Sequence, residues 1–420
     1  MMPTVWTSTR YDAELQTYRG FGVDVLSQLI QGENQPVAIR INQGIDAANL
    51  QLLKNYSGFV VLDLNSHEMN NGSAIYPNSD VLILSTYEAE LILNRKIDSH
   101  HDMQEAANRL LAFGTKSVFL LGKQTHESSL SHDYWTNSRL SFWLTQDQFR
   151  KHQDCRAVFS AAITASLALG YPLEDAIIIA AMYVHQANRL AKTSLYFGGF
   201  PEDEIDLPYL SSIPLYHQPQ QFKPCQRLGL YPIVDSPDWV EMLLKLGVKT
   251  IQLRIKDRTK ALEKDIKRSI TLAKKFQATL FINDYWELAL KLNAEAVHLG
   301  QSDLDTADID AIRKKDLLLG VSTHCYYEVA RAHAISPSYL AIGPIYPTTS
   351  KEMPFSAQGV ASLHRWQRTL RYPLVAIGGI NLERMPDVVA TGVQGVALIS
   401  AITQAKDPRQ ATEQFLNLFG

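Results

Sequence analysis

The stretch LVAIGGINLERMPDVVATGVQGVALIS, at residues 374–400, shows the pattern that decides the fold. Two short apolar runs, Leu374–Ile377 and Gly395–Ile399, have the length of buried strands, and amphipathic residues separate them. Strands that alternate with helices pair in parallel and are joined by right-handed crossovers. The stretch therefore predicts one strand–helix–strand unit of an α/β domain.

The same alternation extends over the C-terminal half of the chain, with amphipathic stretches such as Ala261–Phe276 and Cys325–Ile335. The earlier apolar runs are Leu230–Val234, Thr250–Arg254, Thr279–Ile282, Ala296–Leu299, Leu318–Val321 and Tyr339–Gly343. Eight such units in roughly 190 residues are typical of a compact TIM (β/α)8 barrel. A doubly wound open sheet is the alternative. It should carry a GxGxxG turn after an early strand, and the sequence has none.

The composition limits the class of protein. Of 420 residues, 46% are hydrophobic, and 40 basic residues nearly balance 43 acidic ones. A net charge of −3 gives no general attraction to nucleic acid or to a membrane surface, so any anion binding must come from a local site. The first residues lack an apolar signal core, and no apolar run approaches the ~18 residues of a membrane span. The three cysteines are scattered, so we expect a cytoplasmic protein without a zinc site or disulfide scaffold. The sequence leaves open whether it forms a homo-oligomer.

The length predicts more than one domain, because a domain has roughly 100–200 residues. The segment from Gly198 to Arg227 is rich in proline, glutamine and charge, and it has no sustained period. We therefore predict a first domain over residues 1–197, a linker over 198–227 and the barrel over 228–420. A long loop inside one domain is the alternative for the middle segment.

Polar side chains follow the predicted strands and would meet at one rim, since barrel active sites lie at the carboxyl ends of the strands. They are the cations Arg254, Lys256 and Lys351, the carboxylates Asp284 and Asp303, the hydroxyls of Ser322, Thr348, Thr349, Ser350 and Ser400, and the turn Gly378–Gly379. Cations, hydroxyls and bare amides bind phosphate, and two carboxylates suit Mg²⁺. Taken singly, the carboxylates could be helix caps, the glycines a tight turn, and Arg254 with Asp257 a surface pair.

In order along the chain, these motifs resemble those of the thiamine phosphate synthase family over Leu228–Leu418. The matching stretches are LYPIVDS, QLRIKD, FINDYW, HLGQSD, GVSTH, PTTSKEMP, AIGGI and VALISAITQA. The resemblance implies a transferase of thiamine biosynthesis that uses Mg²⁺. Such an enzyme condenses 4-amino-2-methyl-5-(diphosphomethyl)pyrimidine with 4-methyl-5-(2-phosphoethyl)thiazole and releases diphosphate.

The resemblance also implies a role for each matching residue. Those implied for the pyrimidine diphosphate are Gln252, Leu253, Arg254, Ile255, Lys256, Asn283 and Ser322. Those implied for the thiazole phosphate are Thr348, Thr349, Ser350, Gly379, Ile399 and Ser400. Asp284 and Asp303 would bind Mg²⁺, and the catalytic cations Arg254, Lys256 and Lys351 would stabilise the leaving diphosphate. Ser350 stands where the family usually has threonine, and a hydroxyl is kept.

The first half of the chain also alternates strand-like runs with helical stretches: PVAIRI, GFVVLDL, DVLILS and SVFLLG. The stretches VLILSTYEAELIL, AANRLLAFGTKSVFLLG and FSAAITASLALGYPLEDAIIIAAMYV resemble the C-terminal parts of hydroxymethylpyrimidine phosphate kinase, a ribokinase-fold family. That family makes one substrate of the synthase, so the fusion of the two is sensible.

The phosphate-binding GTGC turn of that kinase family is not kept. The aligned run is QDCRAV at residues 153–158, with Asp154 and Arg156 in place of the glycines. Ala157 stands at the cysteine position, while Cys155 is two residues early. An aspartate in an anion cradle would repel phosphate. The early GGIQAD segment is also missing, so we predict a degenerate, inactive kinase-like domain kept for scaffolding, dimerisation or pyrimidine sensing.

Three other functions fit parts of this pattern. The lost GTGC turn argues against a bifunctional kinase and synthase. A regulator that binds thiamine precursors would need a broken synthase site, and a thiazole tautomerase would use a histidine instead of the full diphosphate and Mg²⁺ set. The residues Asn283, Asp284, Asp303 and Lys351 complete that set. Of the histidines near the rim, His298 lies inside a strand, and we expect it to be packed or hydrogen-bonded.

Overall fold

A computed structural model describes residues 3–8, 12–26, 35–42, 51–63, 76–122, 129–148, 155–192, 194–225, 228–256, 261–348 and 355–419. The chain forms two compact units. The first comprises residues 1–201 and 205–218, and the second comprises residues 202–204 and 219–420. Both are α/β structures, as the alternation of strand and helix patterns predicts.

The second unit is a closed barrel of eight parallel strands in chain order. The strands are β10 (Gly229–Val234), β11 (Thr250–Leu253), β12 (Thr279–Asn283), β13 (Ala296–Leu299), β14 (Leu318–Thr323), β15 (Tyr339–Ile342), β16 (Leu374–Ile377) and β17 (Gly395–Leu398). Pairing of β10 with β17 closes the barrel. All eight predicted strands are present within two residues of their predicted bounds, and the TIM-barrel prediction is confirmed.

Helices lie between the strands. Their bounds are Pro237–Lys245, Leu262–Phe276, Trp286–Lys291, Ile309–Lys314, Tyr326–His333, Gly359–Thr369, Met385–Val389, Ser400–Thr403 and Pro408–Asn417, and a 3-10 turn spans Asp303–Asp305. The helix Leu262–Phe276 shows why they pack as they do. Its buried apolar residues Leu262, Ile266, Ile270 and Ala273 recur at helical spacing and form one face. Because the helices pack around the outside of the barrel, the loops that follow the strands lie together at one end and form a rim.

The first unit is a nine-stranded sheet in the order β2-β1-β3-β4-β5-β6-β7-β8-β9. The strands are β1 (Thr4–Thr7), β2 (Asp24–Val25), β3 (Ala38–Ile41), β4 (Phe59–Leu62), β5 (Val81–Ser85), β6 (Val118–Leu121), β7 (Leu130–Thr136), β8 (Ser141–Asp147) and β9 (Tyr209–Ser211). The helices are Asp12–Gly20, Thr86–Leu93, His100–Leu111, Cys155–Ala168 and Leu173–Arg189, with 3-10 turns at Tyr76–Asn78 and Glu204–Asp206. The four predicted runs of this half form β3 to β6.

The antiparallel strands at one edge of this sheet extend beyond the predicted elements. β7 and β8 pair as a hairpin, and β9 pairs with β8. β9 lies inside the segment 198–227, so residues of that segment complete the first sheet, while residues from Pro219 onward belong to the second unit. Among the described residues, no helix has both the length and the apolar character that a membrane crossing requires.

The buried His333 gives the barrel a dependence on pH. Its Nδ1 lies 2.9 Å from the Tyr372 hydroxyl, and burial lowers its pKa from 6.5 to about 3. The unfolded chain therefore binds this proton from pH 6.5 downward, whereas the folded chain binds it only near pH 3, so acid favours unfolding across that interval. We expect this group to lower the free energy of unfolding by about 1.4 kcal/mol per pH unit between pH 6 and pH 4, measured by urea unfolding. The variant His333→Gln should show a shallower dependence, and an equal slope would contradict the assignment.

Candidate active site

Two cavities open at the rim formed by the carboxyl ends of the barrel strands. The first cavity, of about 470 Å³, is lined by polar residues that include Arg254, Asp284 and Ser322. The second cavity, of about 520 Å³, is lined by the turn Gly378–Gly379 and by Ser400. The residues common to both walls are Thr348, Ile377, Gly378, Ala397 and Ile399. Adjoining cavities with a shared wall can hold two ligands side by side.

The wall between the cavities depends on two glycines. Gly378 and Gly379 have φ values of 100° and 65°, in the left-handed region that side chains rarely adopt. A Cβ on Gly378 would lie 2.6 Å from Cβ of Pro344, and one on Gly379 would lie 2.5 Å from the carbonyl oxygen of Pro347. Only glycine fits at either position, and the turn therefore presents backbone without side chains, as anion-binding turns do.

Two carboxylates face each other at the first cavity. Asp284 directly follows β12 with a left-handed φ of 63°, and Asp303 begins the 3-10 turn, where it accepts a hydrogen bond from the Gly300 amide at 2.8 Å. Partial burial, the charge of Asp303 and a hydrogen bond with Asp303 together raise the pKa of Asp284 from 3.8 to about 6, while Arg254 acts in the opposite direction. Two carboxylates this close favour a shared proton or a cation.

The donor set at this pair can be compared with what metal ions prefer. Within the described ranges, no group of three or more His, Cys, Asp or Glu side chains converges on one position. Two carboxylates would leave the other ligand positions to water and to ligand oxygens, which is the coordination that Mg²⁺ prefers. Structural zinc instead takes four nitrogen or sulfur ligands from the protein. The residues present fit Mg²⁺.

The structure brings most of the predicted site residues together. Those that line the first cavity are Gln252, Arg254, Asn283, Asp284, Asp303, Ser322, Thr348 and Ile399. Those that line the second are Thr348, Gly379, Ile399 and Ser400. Leu253 is buried, Ile255 is half-buried and Lys256 is exposed, and these three line neither cavity. Asp257, Thr349, Ser350 and Lys351 lie outside the described residues.

Several residues of the first cavity were not assigned to the site from the sequence. They are Tyr231, His298, Gln301, His324, Glu328, Tyr339 and Phe355. His298 is buried and hydrogen-bonded at both ring nitrogens, in agreement with its interpretation from the sequence. The sequence does contain a signal for Tyr231, His298 and Tyr339, because each is a polar residue inside an apolar strand run. Every second side chain of a barrel strand points into the barrel, so such a residue can reach the interior.

The first unit carries a series of buried and half-buried ion pairs at the carboxyl ends of β3, β4 and β5. Arg40 of β3 pairs with Glu14 at 2.7 Å and with Asp63 at 2.8 Å. Asp63 also pairs with Nε of Arg156 at 2.7 Å, and Arg156 pairs with Glu88. Arg156 stands where the kinase-family turn has a glycine. Its guanidinium is thus held by carboxylates at the edge where open α/β sheets bind ligands.

The cysteine that precedes Arg156 is part of the packing. Cys155 is the first residue of the helix Cys155–Ala168, and its Sγ lies 3.3 Å from Nδ2 of Asn188 in the next helix. Gln153 and Asp154 lie outside the described residues. Cys155, Cys225 and Cys325 are all free thiols.

The closed barrel and the two adjoining cavities at its rim define the protein as an α/β-barrel protein with room for two ligands. A family model described as thiamine monophosphate synthase matches residues 230–402, and one described as phosphomethylpyrimidine kinase matches residues 57–200. A thiamine-phosphate synthase of Pectobacterium atrosepticum is 59% identical over 196 residues, which are 46% of this chain and 92% of the relative. One of Proteus mirabilis is 57% identical over 195 residues, 46% of this chain and 91% of the relative. The chain belongs to the thiamine-phosphate synthase family, and the resemblances of both halves are confirmed.

Two solved structures are also similar to the chain. A thiamine phosphate pyrophosphorylase from Pyrococcus furiosus is 31% identical, with a TM-score of 0.42, and covers 46% of this chain and 95% of its own. A pyridoxal kinase from Staphylococcus aureus is 17% identical, with a TM-score of 0.42, and covers 50% of this chain and 98% of its own.

Proposed function

We propose that the barrel is a thiamine phosphate synthase, which joins the pyrimidine diphosphate to the thiazole phosphate and releases diphosphate. The observation that carries the proposal is the pair of adjoining cavities. The first has two carboxylates and Arg254 at its walls, and the second has the bare turn Gly378–Gly379 with Ser400. One cavity thus suits a diphosphate with a metal ion, and the other suits a monophosphate.

The pyrimidine diphosphate would lie in the first cavity. Gln252, Asn283 and Ser322 would contact the pyrimidine, and Arg254, with Lys256 beyond the wall, would hold the diphosphate. The thiazole phosphate would lie in the second cavity against Thr348, Gly379, Ile399 and Ser400. Thr349, Ser350 and Lys351 would belong to the loop that follows β15. The backbone of Leu253 and Ile255 would position the side chains of their neighbours for ligand binding.

Asp284 and Asp303 would hold Mg²⁺. Burial and, after it, the charge of Asp303 raise the pKa of Asp284, and a divalent cation would relieve the repulsion between the two carboxylates. When bound, Mg²⁺ supplies positive charge beside the leaving diphosphate.

The chemistry follows from where charge develops. The bond between the methylene carbon and the diphosphate oxygen breaks, and the bonding electrons leave with the oxygen. Arg254, Lys256 and Lys351 stabilise the negative charge that grows there, and the aminopyrimidine ring delocalises the positive charge left on carbon. The thiazole nitrogen then supplies its lone pair to that carbon. No protein nucleophile takes part, so the protein contributes orientation, charge and the exclusion of water.

The direct test is incubation of the purified protein with both phosphorylated substrates and Mg²⁺. We expect thiamine phosphate and diphosphate to form in equal amounts, and only when both substrates are present. Isomerisation of the thiazole phosphate without condensation would favour the tautomerase alternative, and no reaction at all would reject the assignment.

We further propose that the first unit has no kinase activity. Similarity to phosphomethylpyrimidine kinase over residues 57–200 favours the bifunctional alternative. The ion pairs of Arg156 with Asp63 and Glu88, together with that of Arg40 with Glu14, support inactivity. They place three carboxylates at the edge where phosphate would bind, and carboxylates repel phosphate. An assay of ATP-dependent phosphorylation of hydroxymethylpyrimidine and of its phosphate tests this. Turnover at a rate typical of kinases would overturn it.

A further inference from the structure

Five polar side chains of the first cavity form one hydrogen-bonded chain. Gln252 donates from Nε2 to the Tyr231 hydroxyl at 3.1 Å, and the hydroxyls of Tyr231 and Tyr339 lie 2.9 Å apart. The Tyr339 hydroxyl lies 2.6 Å from Nδ1 of His298, and Nε2 of His298 lies 2.8 Å from the Ser322 hydroxyl. These residues belong to β10, β11, β13, β14 and β15, so the chain exists only when the barrel is closed.

Four of the five side chains in this hydrogen-bonded chain are almost fully buried in the wall of the first cavity. Gln252, Tyr231, Tyr339 and His298 are at most 6% exposed. A Cβ on Gly320 would collide with the ring of Tyr339, so the absence of a side chain on the adjacent strand lets that ring take its place. Buried polar groups that lose a partner are costly, and each member of the chain is therefore held by the next.

The number of protons available shows which group donates in each hydrogen bond of this chain. Burial holds the pKa of both tyrosines well above 10, so each hydroxyl keeps one proton to donate. Gln252 donates to Tyr231, and among the described residues the Tyr231 hydroxyl has no acceptor for its own proton except the Tyr339 hydroxyl. Tyr231 therefore donates to Tyr339, and Tyr339 in turn donates to Nδ1 of His298. Because Nδ1 accepts, the ring proton of His298 is on Nε2, which donates to the Ser322 hydroxyl. The hydrogen-bond roles at both ends of the chain are thereby fixed. The side-chain oxygen Oε1 of Gln252 remains as an acceptor, and the Ser322 hydroxyl remains as a donor.

We propose that Tyr339 and His298 are positioning residues which, through this chain, fix the acceptor at Gln252 and the donor at Ser322 that recognise an aminopyrimidine. The inference rests on the proposed synthase function. An aminopyrimidine offers the complementary groups, because its amine hydrogens donate and its ring nitrogens accept. A fixed pattern of buried polar groups discriminates strongly against an analogue that leaves one of them unpaired.

The variant Tyr339→Phe breaks the chain in its middle without touching either end. We expect the KM for the pyrimidine diphosphate to rise about tenfold, while the KM for the thiazole phosphate stays unchanged. We also expect the preference for the aminopyrimidine over its deaminated analogue, measured as a ratio of kcat/KM values, to fall about tenfold. A purely structural role of the hydroxyl would not change that preference.

A matched control is available in the same unit. Tyr372→Phe removes another tyrosine hydroxyl that bonds a buried histidine, His333, at 2.9 Å, and Tyr372 lines neither cavity. This variant should keep both KM values and the substrate preference. Thermal melts of both variants show that they are folded, and His298→Gln serves as a second break of the chain should Tyr339→Phe fail to fold.

A double-mutant cycle tests whether the two positions act through one chain. Ser322→Ala alone should raise the same KM, and the double variant with Tyr339→Phe should be within about threefold of the more severe single variant, since the second change removes what is already lost. The proposal is overturned if Tyr339→Phe behaves like Tyr372→Phe, or if the effects of the two substitutions multiply. A wild-type protein that forms no thiamine phosphate would instead reject the synthase function, before any variant is compared.

Discussion

Asp284→Asn is expected to lower the kcat/KM of the synthase by about 10²–10³-fold, the effect typical of losing one preorganised electrostatic partner at a developing charge. The substitution keeps the size and shape of the side chain and removes its charge. It therefore weakens the proposed hold on Mg²⁺ and leaves only Asp303 as a carboxylate ligand. We expect the Mg²⁺ concentration for half-maximal activity to rise as well.

The backbone at this position decides which substitution is informative. Asp284 has a φ of 63°, and asparagine is one of the few residues that adopt this conformation readily. Alanine would add backbone strain, so its effect would mix folding with catalysis. The change to asparagine would also end the repulsion that contributes to raising the pKa of the native Asp284 side chain to about 6. Without Mg²⁺ at pH 8, the variant should be at least as stable as the wild type.

Activity and thermal unfolding, each with and without Mg²⁺, check both parts of this prediction. Asp305→Asn is the matched control, because Asp305 lies in the same 3-10 turn as Asp303 and lines neither cavity. It should leave kcat/KM within about twofold of the wild type, as surface substitutions usually do. Wild-type turnover by Asp284→Asn would show that the carboxylate pair is not the metal site.

The barrel could be predicted because each of its strands is a short apolar run of its own. All four residues of the strand Ala296–Leu299 are buried, as parallel strands are whichever strands pair with them. A helical stretch separates this strand from the next strand in the sequence, so each strand can be recognised on its own. Asp284 and Asp303 could be found for a related reason. Residues that directly follow parallel strands share one rim, so their position in the sequence already gives their neighbourhood.

The hydrogen-bonded chain could not be predicted in this way. Tyr231 and Tyr339 are 108 residues apart, and their hydroxyls meet only through the closure and register of the barrel. The hairpin of β7 and β8 was not predicted for a different reason. Its first strand, LSHDYWT, mixes polar and aromatic residues, and its identity depends on cross-strand partners such as Trp135 and Phe142, whose rings stack at 4.8 Å.

Arg40→Met is expected to destabilise the first unit by about 3–5 kcal/mol, the usual cost of removing one partner from a buried ion pair. Arg40 is 1% exposed, and its carboxylate partners Glu14 and Asp63 are 0% and 2% exposed. It also donates from Nε to the Ser160 hydroxyl at 2.6 Å. Methionine fills a similar volume but leaves Glu14 as a buried charge without its cation, and water cannot reach it in the folded state.

Two further variants separate the ion pair from other effects of the substitution. Arg95→Met removes a half-exposed arginine whose pairs with Asp102 and Glu105 lie at the surface, and it should cost at most about 1 kcal/mol. Adding Glu14→Gln to Arg40→Met removes the stranded charge, so the double variant should recover part of the lost stability. Recovery would show that the cost came from the unpaired carboxylate and not from packing.

Hydrogen exchange measured by mass spectrometry can locate the loss of stability within the chain. In Arg40→Met, peptides from β3 and from the helix Cys155–Ala168 should exchange faster, because Arg40 connects the strand to Ser160 of that helix. Peptides from β14 and β15 of the barrel serve as an internal reference and should keep their wild-type rates. If exchange in the helix is unchanged while Arg40 is absent, the ion pairs of Arg40 do not hold this edge of the sheet together.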